Sequence, residues 1–137
     1  MRKGFSVTSA LVMAASVLVT AQDRKPAEAV DTGRGLFLLY CASCHGPEGR
    51  GNGPAADEFW QRPRDLTQFA NRNGGVFNDA LIHRVIDGRA VKSHGTMDMP
   101  VWGDAFKRRL GLDDDAVKQR IDAIVRYIGA IQERSGH

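Results

Sequence analysis

The sequence predicts a small all-α domain. Apolar residues recur at helical spacing in three separate stretches, no sustained period-two alternation occurs, and no Asn-Gly type turn joins two apolar runs. The 137 residues, 42% hydrophobic and 26% charged, bound the chain to one folded domain. That balance excludes a multidomain enzyme, wholesale disorder and an integral membrane bundle. Two cysteines cannot staple a disulfide scaffold, and a four-ligand zinc ribbon would need a second Cys/His pair that the sequence does not supply.

At the N-terminus, Arg2 and Lys3 precede the apolar run Ala10–Val19, and Val19-Thr20-Ala21 places small residues where a signal peptidase reads. The run is short of the roughly 20 residues a spanning helix requires, so residues 1–21 are expected to be a cleaved signal peptide, with no membrane span left in the mature chain. Export to the periplasm follows. Removing Arg2 and Lys3 lowers the formal charge from +3 to +1, so the chain's basicity is mostly the leader's. With no dense basic run interleaved with aromatics, nucleic acid is not an expected partner.

Residues 22–30, QDRKPAEAV, read as a flexible polar lead-in, and residues 31–137 as the folded domain. Asp31 or Thr32 is placed to cap a first helix carrying Leu36, Phe37, Leu39 and Tyr40 into Cys41 and Cys44. The cluster Gly46, Pro47, Gly49, Gly51, Gly53 and Pro54 then demands a loop. A short helical turn is expected around Ala55–Trp60, before Pro63. Asn78 should cap a helix in which Leu81, Ile82, Val85 and Ile86 repeat at helical spacing and Gly88 supplies the stop. Residues Arg89–Pro100 lack periodicity and read as a loop. Asp113, Asp114 and Asp115 favour the positive end of the last and longest helix, whose buried stripe is Ile121, Ile124, Val125, Ile128 and Ile131.

Cys41-Ala42-Ser43-Cys44-His45 is a C-x-x-C-H sequence, the attachment signature of c-type haem. Each thiol adds across one haem vinyl group to form a thioether, and the adjacent imidazole of His45 swings onto the iron. A redox dithiol would favour a preceding strand, and a zinc site lacks its other half. The glycines at 49, 51 and 53 are not a nucleotide-binding loop, because no strand precedes them.

On these residues the chain resembles the monohaem class I c-type cytochromes over nearly its whole mature length. Gly33 and Phe37 stand eight and four residues before the first cysteine, where that family lets its first and last helices cross. Ile124 and Tyr127 match the aliphatic and aromatic residues of the partner helix. The resemblance implies one covalent haem c held by Cys41 and Cys44, with His45 and Met99 as axial ligands of the iron. Met99-Pro100 and Trp102 match the family's M-P-x-W loop, with Met97 and His94 as rivals for the sixth position. It further implies that the Pro54 carbonyl accepts the proximal His45 Nδ1–H, that Leu66 and Trp102 line the haem, and that Arg62, Arg64 or Arg72 neutralises a propionate. His83 reads as a solvent-facing helix residue and His137 as terminal.

A haem iron with both axial positions filled by protein suits one-electron shuttling better than catalysis on a substrate. The expected function is therefore a periplasmic one-electron carrier between redox partner proteins, a dehydrogenase or reductase as donor and an oxidase or other acceptor. The alternatives are a haem-bearing electron-transfer subunit of a periplasmic dehydrogenase or oxidase, and a gas sensor whose methionine loop opens. Lys107, Arg108 and Arg109 form a basic cluster that would steer an acidic partner or simply solubilise a helix end.

Overall fold

The computed structural model describes residues 24–91 and 99–134. The expected signal peptide and its cleavage site, Met97, His94 and His137 all lie outside these residues. Six α-helices follow in chain order: α1 (Arg24–Tyr40), α2 (Ala42–His45), α3 (Phe69–Arg72), α4 (Asp79–Asp87), α5 (Trp102–Leu110) and α6 (Asp114–Ala130). Two 3₁₀ turns, Ala56–Glu58 and Leu66–Gln68, interrupt the long connection between α2 and α3. No strand occurs among the described residues, and none of their helices is long and apolar enough to cross a membrane.

The first helix begins at Arg24, so the expected cap at Asp31 or Thr32 is corrected, and residues 24–30 are helix rather than irregular lead-in. Ala27, Glu28 and Ala29 are strong helix formers, and Pro26 falls in the first turn, where its missing N–H has no intrahelical acceptor to lose. Val30, Gly33, Phe37 and Tyr40 then fall on one face, at spacings of three and four.

That face crosses α6 at Gly33. A Cβ there would collide with the Ala123 carbonyl oxygen and sit 3.0 Å from the Tyr127 Cβ, so only glycine permits the approach. Phe37 is fully buried beside Tyr127, their ring centroids 5.2 Å apart, and Val117, Ile121, Ile124 and Ile128 complete the seam from α6. Ile82 and Ile86 of α4 and Phe106 of α5 close the same core.

Three stop and start signals act as their chemistry requires. Asn78 accepts the Leu81 amide at 3.0 Å, Asp113 accepts the Ala116 amide at 2.8 Å, and Gly88 ends α4 in the left-handed region at φ 73°. Residues 102–110 are helical, an element the loop reading had not included. Trp102, Phe106 and Leu110 repeat every fourth residue, and Gly111 terminates them at φ 65°.

Candidate functional site

The C-x-x-C-H sequence occupies the corner between α1 and α2. The Cys41 amide extends the α1 ladder to the Phe37 carbonyl at 2.8 Å, and the His45 amide donates to the Cys41 carbonyl at 2.9 Å, which turns the chain within one residue. The glycine-rich loop folds back over this corner: the amides of Gly51, Gly53 and Ala55 donate to the carbonyls of His45, Cys44 and Ser43 at 2.8, 3.1 and 2.9 Å. A Cβ on Gly53 would collide with the Ser43 carbonyl and lie 2.6 Å from that of Ala42, so backbone approaches backbone where no side chain fits.

Both thiols are free and half-buried. Burial and the neighbouring Cys44 push the Cys41 thiol up to about 12, so it stands as an un-ionised S–H. His45 Nδ1 lies 3.1 Å from the Arg64 carbonyl oxygen. A carbonyl only accepts, so the ring proton is on Nδ1 and Nε2 carries the lone pair. Burial, opposed by the Arg64 carbonyl, holds the imidazole below its ordinary value and so favours the neutral ring.

The acceptor is thus Arg64, not Pro54 as the sequence reading had it. Pro54 sits between two residues whose amides are bound to the α2 turn, whereas the strand-like stretch after Pro63 runs against the loop. A Cβ on Gly51 would meet the Pro63 carbonyl, and the Leu66 amide donates to the Gly49 carbonyl at 2.7 Å. Those two contacts bring the Arg64 carbonyl to the ring.

Leu66 is 8% exposed and belongs to the core, beside this corner. Trp102 packs on Tyr40, the residue before Cys41, with centroids 5.5 Å apart, and on Phe106 at 5.3 Å. Met99 is half-buried against the same core, three residues before α5. Of the three arginines, Arg62 pairs with Asp57 at the surface and Arg72 donates to the Asp65 carbonyl at 3.2 Å. The exposed Arg64 guanidinium has no partner among the described residues. His83 is half-buried rather than solvent-facing, with Nε2 3.3 Å from Asp122 Oδ1 across α4 and α6, well removed from iron-ligand duty in the α1–α2 corner. Lys107 and Arg108 pair with Asp114 and Asp104 at the end of α5.

Three features escaped the sequence. Gln132, just past α6, bonds the Leu66 carbonyl at 2.7 Å and the Ala70 amide at 2.8 Å, lashing the Leu66 turn to the last helix. Tyr127 donates its hydroxyl to the Pro47 carbonyl at 3.4 Å, tying α6 to the loop after His45. Arg89 forms a fork with Asp87 and reaches Asp114 at 2.7 Å. A long-range polar contact has no periodicity, so only the folded chain reveals it.

The residues fit a covalent haem on the chemistry of the donor set. Two unpaired thiols sit three residues apart on one turn, and the next residue is an imidazole with its Nδ1 fixed and its Nε2 free. No group of three or more His, Cys, Asp or Glu side chains that could hold a metal ion by themselves occurs among the described residues.

A family model described as cytochrome c matches residues 30–132. No curated protein and no solved structure is similar enough to the chain to match.

Proposed function

Because the chain belongs to the cytochrome c family, whose cofactor is a covalently attached haem c and whose work is electron transfer, we propose that it is a periplasmic one-electron carrier with His45 and Met99 as axial ligands. Cys41 and Cys44 hold the haem through thioethers. The observation that carries this reading is the His45 Nδ1–H bond to the Arg64 carbonyl, which points the free Nε2 lone pair away from the loop and raises its basicity as a ligand.

The haem supplies a reversible ferric/ferrous couple. The chain's own residues set its surroundings. The Arg64 carbonyl fixes the ring of His45 in one tautomer, and the buried Leu66 and the Trp102–Tyr40 stack would supply apolar surroundings for the haem next to Cys41. Met99 contributes a thioether, a soft donor that favours the reduced iron and raises the potential. With His45 and Met99 both bound to it, the iron would offer substrates and gases no open coordination site. The leader read at residues 1–21 supports export, and the Arg64 guanidinium is the best placed of the three arginines for a propionate.

The test is the optical spectrum and potential of protein matured with haem-attachment machinery, beside Met99→Ala. The native protein should keep haem under denaturing conditions, show the methionine-to-ferric-iron charge-transfer band and leave carbon monoxide unbound when reduced. Met99→Ala should lose the band and bind carbon monoxide. An unchanged spectrum in Met99→Ala would dismiss Met99 as the ligand, and carbon monoxide binding by the native protein would replace the carrier with a sensor. Stoichiometric co-purification with a catalytic chain would make it a subunit, and recovery of the haem protein in the cytoplasmic fraction would refute export.

A further inference from the structure

Asp87, the last residue of α4, and Arg89, two residues on, form a two-pronged pair: Arg89 Nε and Nη2 donate to Asp87 Oδ1 and Oδ2, each at 2.8 Å. The remaining arm of the same guanidinium reaches Asp114 Oδ1 at 2.7 Å, at the start of α6, and Lys107 Nζ from the end of α5 meets Asp114 at 2.9 and 3.0 Å. Arg89 therefore ties α4 to α6, and Asp114 ties in α5 through Lys107. Asp87 is largely enclosed, its side chain 15% exposed, so this pair is less screened than a surface one.

The fork is seated against Gly103. A Cβ at Gly103 would collide with Arg89 Nε and lie 2.7 Å from Asp87 Oδ1. Between the two fork residues, the place of a Cβ on Gly88 is 3.3 Å from the Val101 Cα. The end of α4 thus grips the backbone of residues 101–103, and Met99 lies two residues before that grip. Gly103 is glycine because the fork occupies the space of its side chain.

We infer that the Asp87–Arg89 fork, seated on Gly103 and anchored to Asp114, is the positioning element that holds Met99 on the iron. This rests on Met99 as the sixth ligand. Segment 99–103 enters α5 with no side-chain cap on its first turn, so its placement rests on the fork, on the Lys107–Asp114 pair and on the Trp102–Phe106–Tyr40 stack against α1. A lysine at 89 could supply the charge but not the planar fork.

The experiment titrates imidazole into the ferric haem-loaded protein. Imidazole must displace Met99, so its apparent affinity reports the fraction of protein whose sixth position is open. Arg89→Gln and Gly103→Ala are each expected to raise imidazole affinity about tenfold, weaken the methionine charge-transfer band and lower the potential, the loss of charge-assisted bonds being of that size. Arg89→Lys should not restore native behaviour, and Lys118→Gln, which breaks the exposed Lys118–Asp122 pair on α6, should match the native protein. Gly103→Ala keeps every charge, so it decides the matter if Arg89→Gln fails to fold. Native imidazole affinity and potential in Arg89→Gln or Gly103→Ala, alongside altered values in Met99→Ala, would overturn the clamp while leaving the ligand assignment standing. Native values in Met99→Ala would overturn the ligand assignment and the clamp with it. A lowered unfolding midpoint with unchanged imidazole affinity would reduce the fork to a structural brace and refute the inference.

Discussion

Gly53 carries more of the site than any side chain of the loop that contains it. Its amide is bound to the Cys44 carbonyl at 3.1 Å and its α-carbon faces the carbonyls of Ala42 and Ser43, so the loop can lie flat on the C-x-x-C-H corner only without a Cβ. In the haem-loaded protein, Gly53→Ala is expected to cost about 3 kcal/mol, the range for forced backbone displacement, read as a lower urea midpoint. A midpoint equal to the native one would mean that the loop yields without consequence. Cys41, with its thiol pushed up to about 12 in the closed fold, stands there as an un-ionised S–H and a poor nucleophile. At this scale Cys41, Cys44 and His45 were legible as a group, because C-x-x-C-H is a contiguous pattern. The acceptor for His45 was not. Two prolines, Pro54 and Pro63, punctuate the return of the chain, and only the contacts of Gly51 and Gly49 with the second stretch select Arg64.

Helix α1 contains its own control for the helix crossing. Gly33 faces the Ala123 carbonyl, whereas Gly35, two residues on, has nothing within 4 Å of its Cβ position. Gly35→Ala should therefore stabilise by about 0.5–1 kcal/mol through the lower entropy of the unfolded chain. Gly33→Ala should destabilise by about 2–4 kcal/mol, because α1 and α6 must separate and Phe37 and Tyr127 lose contact. Thermal unfolding of the two haem-loaded variants checks this, and two shifts of the same sign would show that the crossing at Gly33 is not tight. The helices flanking this seam were legible because caps and apolar period agreed, as at Asn78 and Asp113. Helix α5 was hidden by Gly103, a residue that weakens any helical pattern and stands where it does only because the Arg89 fork fills its side-chain space. The start of α1 was hidden for the opposite reason. Its polar opening turns have helix propensity but little apolar pattern, and Val30 is the first residue packed on the core.

On the scale of the whole molecule, the packing divides into the α1–α6 seam and a second part gathered at the C-x-x-C-H corner. The α1–α6 seam is self-sufficient: Phe37, Val117, Ile121 and Ile124 are each no more than 1% exposed, and every contact among them is protein with protein. The α2 corner, the loop from Gly46 to Pro54 and the Leu66 turn instead meet around the two thiols and His45, held mainly by backbone hydrogen bonds over short helices. In a domain this small a large apolar prosthetic group supplies a substantial share of the buried area. The double variant Cys41→Ser/Cys44→Ser, which cannot retain the haem covalently, is therefore expected to keep much of its far-ultraviolet helical signal, contributed by α1 and α6. It should lose the near-ultraviolet signal of Trp102, Tyr40 and Tyr127, bind a hydrophobic dye, and melt without a sharp transition, the signature of collapsed chain with unfixed packing. A cooperative melt with native near-ultraviolet features would show that the protein closes its own core and receives the haem as a guest.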